Sequence, residues 1–281
     1  MSLKLMYITN KPAVAQIAEE AGVDWIFLDM EFIGKDVRQG GMDTVQNHHT
    51  VNDVKKIKAS VKKANVLVRV NPIHQGLADY PSSKKEIDDV IAAGADIVML
   101  PFFKTVEEVK QFIGYVNGRA NTLLLMETMG AVQRVDEILE VPGIDMIHLG
   151  LNDMHLEMGL KFMFELLADG TVERLGKMIK AKGIPFGFGG IATLDGGELP
   201  GSMVLKEHVR LGSSMVIVSR SFCNTEVVTD LNVVKRVFDT GISGLRALEK
   251  EASLADAAYL EENRKDVVAT VNKIAGTNYS G

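Results

Sequence analysis

Five segments of this chain share one local grammar: a helix-like stretch, a glycine, one or two residues, then a short apolar run. They are AEEAGVDWIFLD, IAAGADIVMLP, EVPGIDMIHLG, KAKGIPFGFG and VRLGSSMVIVS. A glycine just past a helix can take the left-handed conformation that closes the helix C-terminus, and the turn then feeds the next strand. Short apolar runs lie at 4–8, 25–30, 65–70, 96–101, 122–127, 145–150, 184–189 and 214–220. On average they start about 30 residues apart, roughly the length of one βα unit. Runs this apolar suit strands buried on both faces, as in a parallel sheet. Eight of them alternating with helices favour a (β/α)8 TIM barrel over an open doubly wound sheet.

Two regions depart from the repeat. The stretch after the second strand, EFIGKDVRQGGMDTVQNHHTVND, is polar, contains glycine and is too long for a simple βα turn. After the eighth strand, residues 226–251 and 253–276 read as two further helices, of which a barrel needs one. The expected division is a catalytic barrel over 1–250 and an additional C-terminal helical extension over 251–281. The extra helix needs a surface to cover, on its own barrel or on a neighbour, and the closing GTNYSG is expected to fray.

Composition narrows the function. Lys and Arg number 31 against 37 Asp and Glu, a net charge of −6, which argues against a dedicated nucleic-acid binder with its basic face. The single cysteine, Cys223, rules out an intrachain disulfide framework and fits a reducing compartment. No apolar run approaches the roughly 20 residues of a membrane span, and MSLKLMYITNKP lacks the apolar stretch of a secretory signal. The expectation is a cytoplasmic protein with no membrane and no nucleic-acid partner. The 14 methionines, as in MGLKFMFELLADG, are read as helix-packing residues.

In a TIM barrel the active site sits where strands end and βα loops begin. Asp29 and Glu31 then close the second strand, Arg69 and Asn71 the third, Glu127 and Thr128 the fifth, and Asn152 and Asp153 follow the sixth. Glycines 187, 189 and 190 are placed after the seventh strand, and Ser219, Arg220 and Ser221 at the end of the eighth. Asp29, Glu31, Glu127 and Asp153 gathered on one rim would repel one another without a positive partner. A divalent cation answers this economically, and hard carboxylate oxygens suit Mg2+ or Mn2+, with Co2+ as a third option. No CxxC, HExxH or paired-histidine spacing points to zinc. The competing reading for each acid is a helix cap or an acceptor of loop amides.

These residues resemble a known family. METMGAVQRVDEIL followed by PGIDMIHLGLNDMHLEMG is similar to the paired metal-binding motifs of the HpcH/HpaI aldolase and citrate-lyase β family. The resemblance runs from about residue 13 to about residue 222 and implies that Glu127 and Asp153 coordinate the metal. It implies that Arg69, in VLVRVNP, pairs with the carboxylate of a pyruvate-like 2-oxo acid. Glu31, in WIFLDMEF, matches a glutamate near the metal and its waters. The implied activity is metal-dependent carbon–carbon cleavage or formation of a 4-hydroxy-2-oxo acid through a pyruvate enolate, with an aldehyde as second partner. The family also implies a homo-oligomer, trimer or hexamer, with C-terminal helices exchanged between subunits. A Lewis acid stabilising the enolate makes a Schiff-base lysine unnecessary, and none of the strand ends named above supplies one.

The chain departs from the aldolase branch at its acid–base apparatus. Phe32 stands where that branch has a histidine, Ala92 aligns with the aspartate partnering it, and Leu125 replaces a glutamine. The candidate substitutes, in order, are His49, His48, His74 and His155. Gly189 and Gly190 offer backbone amides where many barrels bind phosphate, and Arg220 offers a cation to a second anionic group. The competing reading of those three is a glycine-rich turn and a rim salt bridge. A citrate-lyase-like or acyl-CoA lyase activity is the first alternative, although only scattered lysines such as Lys104 and Lys110 offer charge for CoA phosphates. A non-catalytic protein that binds a metal–keto-acid complex is the third reading.

Overall fold

Each apolar run becomes a parallel strand, and the eight strands close in chain order into a TIM barrel. The structure is a computed structural model that describes residues 2–35 and 47–280. The strands are β1 (Lys4–Ile8), β2 (Trp25–Asp29), β3 (Asn65–Arg69), β4 (Ile97–Leu100), β5 (Asn121–Met126), β6 (Met146–Leu149), β7 (Phe186–Ile191) and β8 (Met215–Val218). Outer helices alternate with them: α1 (Pro12–Ala21), α2 (Val51–Ser60), α3 (Ser83–Ala92), α4 (Val106–Val116), and the short pair α5 (Met129–Gln133) and α6 (Val135–Leu139). After β6 come α7 (Leu151–Glu157), α8 (Glu165–Ala168) and α9 (Thr171–Ala181). Helix α10 (Gly201–Leu211) precedes β8, and α11 (Leu231–Leu254) and α12 (Ala257–Ala275) close the chain.

The glycines do what their spacing predicts. Gly22, Gly94, Gly143, Gly183 and Gly212 all carry positive φ, between 67° and 107°, at the turns that lead into strands. Side chains alternate across each strand, so the barrel has two apolar compartments. Trp25 and Phe27 of β2, Leu67 of β3, Ile97 and Met99 of β4, and Leu123 and Leu125 of β5 fill the interior. The intervening residues, such as Ile26, Leu28, Val66, Val68 and Leu124, pack outward against the helices.

The seventh strand corrects the sequence reading. Gly187, Gly189 and Gly190 lie within β7 rather than after it. Gly187 pairs with Met215 and Gly190 with Ile217, so β7 spends one residue more than β8 over this stretch. That is a β-bulge, and Gly189 at φ +52° supplies the left-handed residue it needs.

Helix α11 buries Val234, Phe238, Ile242 and Leu245 along one face, with Phe238 edge-on to Tyr7 of β1 at 4.8 Å. Helix α12 lies on α8 and α10 of the same chain. Its buried Asn263 donates to Met203 O and Glu207 Oε1, each at 3.1 Å. The tail after α12 is tied down, contrary to the fraying expected: Tyr279 N donates to Asn272 Oδ1 and Tyr279 OH to Glu165 Oε2, both at 2.8 Å. Among the described residues no helix is long and apolar enough to cross a membrane.

Candidate active site

The inward face of the barrel changes from apolar to charged at its C-terminal end. Two residues beyond Phe27 stands Asp29, two beyond Leu67 stands Arg69, and two beyond Leu125 stands Glu127. On β6 the inward sequence runs Met146, His148, Gly150. Strand periodicity therefore delivers an acid, a base, a second acid and a histidine to one rim. They line a cavity of about 340 Å3 together with Asn152, Asp153, Gly189, Gly190, Ser219 and Arg220.

Asp29 and Arg69 are register partners on β2 and β3. Arg69 Nε donates to Asp29 Oδ1 at 2.8 Å and Arg69 Nη2 to Asp29 Oδ2 at 2.7 Å, the two-pronged match of guanidinium and carboxylate. Lys35, only 4% exposed, places Nζ 3.0 Å from Asp29 Oδ2 and 3.6 Å from Glu31 Oε2. Arg69 Nε also lies 3.4 Å from Glu31. Two anions and two cations thus form one buried set. Burial by itself would raise the Asp29 pKa, but Arg69 and Lys35 outweigh it and hold that carboxyl well below the usual carboxylate range. Glu31 is buried in this set and does not line the cavity.

Glu127 and Asp153 are 3% and 7% exposed and share the cavity. Glu127 Oε1 accepts the Phe102 N–H at 3.0 Å, and Thr128 Oγ1 donates to Phe103 O at 2.6 Å. The end of β5 is thereby laced to the loop after β4, where Phe102 adopts φ +49°, a strained value outside glycine. Thr128 also caps α5 by accepting the Ala131 N–H. Gly150 explains the glycine of the LGLND segment: a Cβ there would lie 2.6 Å from Glu127 Cβ and 2.7 Å from its Oε2. Asp153 lies in the first turn of α7 and is not its N-cap, which is Gly150.

Two cavity-lining side chains escaped the sequence reading. Lys35 stands beyond a strand end, inside the polar loop, yet its ammonium lines the cavity. His148 lies mid-strand and fully buried, and its inward parity between Met146 and Gly150 was the available signal. Its Nε2 lies 3.0 Å from Gly189 O; a carbonyl can only accept, so Nε2 carries the proton. Burial pushes its pKa down to about 4, and its Nδ1 finds no hydrogen-bond partner.

The candidate histidines lie elsewhere. His48 and His49 line an adjoining cavity with Phe32, Tyr80 and Glu86. His49 Nδ1 accepts the Asp29 backbone N–H at 3.0 Å, and burial lowers its pKa. His74 braces the loop after β3 through Pro72 O and Pro81 O at 2.8 and 2.9 Å. His155 Nδ1 is 3.2 Å from Leu151 O within α7. Residues 36–46, the middle of the long loop, lie outside the described residues.

The place of the missing dyad is filled by another network. Phe32 packs edge-on to Tyr80 at 4.8 Å, and Tyr80 OH donates to Glu86 Oε1 at 2.9 Å. Glu86 also accepts from Asn71 Nδ2 at 2.9 Å, while Asn71 Oδ1 receives the N–H groups of Phe32 and Ile33, both at 2.9 Å. Burial raises the pKa of Glu86, and the network fixes the chain between Glu31 and Lys35.

Glu127 and Asp153, the expected metal ligands, line this cavity together. Among the described residues no group of three or more His, Cys, Asp or Glu is placed to hold an ion. A two-carboxylate site fits Mg2+ and its like, which keep waters and substrate oxygens in their shell.

Comparison with known proteins agrees with this fold. An HpcH/HpaI aldolase from Desulfitobacterium hafniense DCB-2 superposes with a TM-score of 0.58 at 16% identity, covering 83% of this chain and 93% of that one. An HpcH/HpaI aldolase/citrate lyase family protein from Burkholderia cenocepacia J2315 gives 0.61 at 16% identity, covering 83% and 95%. At such identity these likenesses speak for the fold. A hydroxypyruvate/pyruvate aldolase of Roseovarius nubinhibens is 21% identical over 178 residues, 53% of this chain and 61% of that protein, so the chain spans about three-fifths of its relative's length. The family model for HpcH/HpaI aldolase/citrate lyase matches residues 4–168, from β1 through Glu127 and Asp153 to the end of α8, and the chain belongs to that family.

Proposed function

We propose that the protein is a divalent-metal-dependent carbon–carbon lyase that makes or cleaves a 4-hydroxy-2-oxo acid through a pyruvate-type enolate. The observation that carries this reading is the pair Glu127 and Asp153 lining one barrel-mouth cavity with Arg69 and Arg220. Family membership supports an aldolase or lyase activity. Glu127 and Asp153 would hold Mg2+ or Mn2+, which when bound supplies the Lewis acid that stabilises enolate charge. Arg69 orients the 2-oxo-acid carboxylate; with Nε and Nη2 engaged by Asp29, its Nη1 is the nitrogen left to do so. His49 and His48, which line the adjoining cavity, are assigned the proton transfer; the Asp29 N–H occupies the Nδ1 lone pair of His49, so His48 is the ring left to accept a proton. Gly189 and Gly190 line the substrate side of the cavity. The proposal includes a homo-oligomeric assembly, with the 251–281 extension packed on its own barrel as in this structure.

Incubation with Mn2+ and pyruvate in D2O tests the reading. Methyl-proton exchange is expected in the wild type, and the His48→Ala/His49→Ala double variant should slow it by orders of magnitude, on the scale of a lost general base. Absence of exchange in the wild type would leave a metal–keto-acid binder. Unchanged exchange in the double variant would remove the loop histidines from the mechanism.

A further inference from the structure

Among the described residues, no side chain answers the guanidinium of Arg220 in this cavity. Lys35 and Arg69 are neutralised by Asp29 and Glu31. Arg220 lines the same cavity, forms no salt bridge among the described residues, and carries a buried Nη1 with no hydrogen-bond partner. The rim salt bridge that would have made it structural is therefore missing among these residues. A guanidinium nitrogen withdrawn from water without an acceptor costs free energy that a bound anion can offset.

Its place in the ring gives the ligand's shape. Glu127 follows β5 and Asp153 follows β6, so the carboxylate pair sits at the centre of one arc. Two strand positions to one side, past β4, stands Arg69 at the end of β3; two to the other, past β7, stands Arg220 after β8. Beside Arg220, Ser219 Oγ and Ser221 Oγ lie 2.6 Å apart, and Ser219 also lines the cavity. One of these hydroxyls donates to the other, which leaves the second proton for an anion.

We propose that the site takes a ligand with two anionic ends. The carboxylate of a 2-oxo acid lies on the Arg69 side, and a second carboxylate reaches Arg220 and the Ser219–Ser221 pair. Arg220 is then a specificity-determining residue that selects dicarboxylic over monocarboxylic 2-oxo acids. This rests on the 2-oxo-acid reading above.

Calorimetric titration in the presence of Mn2+ tests it with two length-matched pairs: oxaloacetate against 2-oxobutyrate, and 2-oxoglutarate against 2-oxopentanoate. The wild type should bind at least one diacid about tenfold or more tighter than its monoacid, as a buried charge-assisted pair implies. Arg220→Met should abolish that preference by weakening the diacid, and Arg220→Lys should recover part of it. Equal affinities within both pairs in the wild type would overturn this proposal alone. So would Arg220→Met weakening monoacid and diacid alike, since Arg220 would then hold the 2-oxo acid's own carboxylate. Binding of none of the four acids would overturn the 2-oxo-acid reading and this proposal with it.

Discussion

Asp29 and Arg69 face each other across β2 and β3 in direct register and share two hydrogen bonds of 2.8 and 2.7 Å. The pairing holds the guanidinium at the mouth of the barrel, over the Phe27 ring at 5.5 Å, and leaves it one nitrogen for a ligand. Asp29→Asn keeps the shape and removes the charge. Because Arg69 and Lys35 would be left buried with Glu31 alone, the variant should lose about 3–5 kcal/mol of unfolding free energy at neutral pH, the range seen when one partner of a buried pair is removed. The folded-state pKa of Asp29 is depressed, so its contribution is full above the ordinary carboxylate value and is lost as pH falls through the folded value. Urea unfolding should show a gap between wild type and variant that is constant from pH 6 to 8 and narrows only in acid. A gap that narrows toward alkaline pH would contradict this pairing.

Gly150 and Glu127 make a second test. A methyl group at 150 has no room beside the Glu127 side chain. Gly150→Ala should displace the carboxylate and weaken Mn2+ binding by about tenfold or more, in line with the loss expected when a ligand's support is disturbed. The barrel itself should stay folded by far-ultraviolet circular dichroism, and unaltered Mn2+ affinity would show that Glu127 does not need this space.

His148 should be neutral throughout the working range of pH. Its folded pKa is lowered to about 4, below the ordinary 6.5, so the protein gains stability from the buried neutral ring above pH 6.5 and loses it as pH falls toward 4. At 1.36 kcal/mol per pKa unit the full effect is about 3 kcal/mol. Replacing His148 with Asn should flatten the stability–pH slope between 6.5 and 4. An NMR titration of the wild-type imidazole with a midpoint near 6.5 would contradict the burial argument.

Much of the barrel was legible because glycine punctuation and apolar runs are local signals. Gly22, Gly94, Gly143, Gly183 and Gly212 mark the turns into strands, and all eight runs became strands within a few residues of their expected limits. The bulge in β7 was not legible, since FGFGG reads equally as a turn until Met215 and Ile217 supply the register. At the site, Glu127, Asp153, Arg69 and Arg220 followed from the rule that barrel chemistry sits at strand ends. Lys35 did not, because its reach into the cavity depends on the path of the chain after Glu31, fixed by Asn71 and Glu86 from other elements. His148 was passed over because it lies within β6, short of the strand end where that rule looks for chemistry.

The central claim is that Glu127 and Asp153 together hold a divalent ion. Titration of Mn2+ into the protein, followed by loss of the free-ion signal in electron paramagnetic resonance, measures this directly. The account predicts one Mn2+ per chain in the wild type, with affinity lowered by at least about tenfold in Glu127→Gln and in Asp153→Asn, both of which remain folded. Wild-type affinity retained in either variant would contradict it.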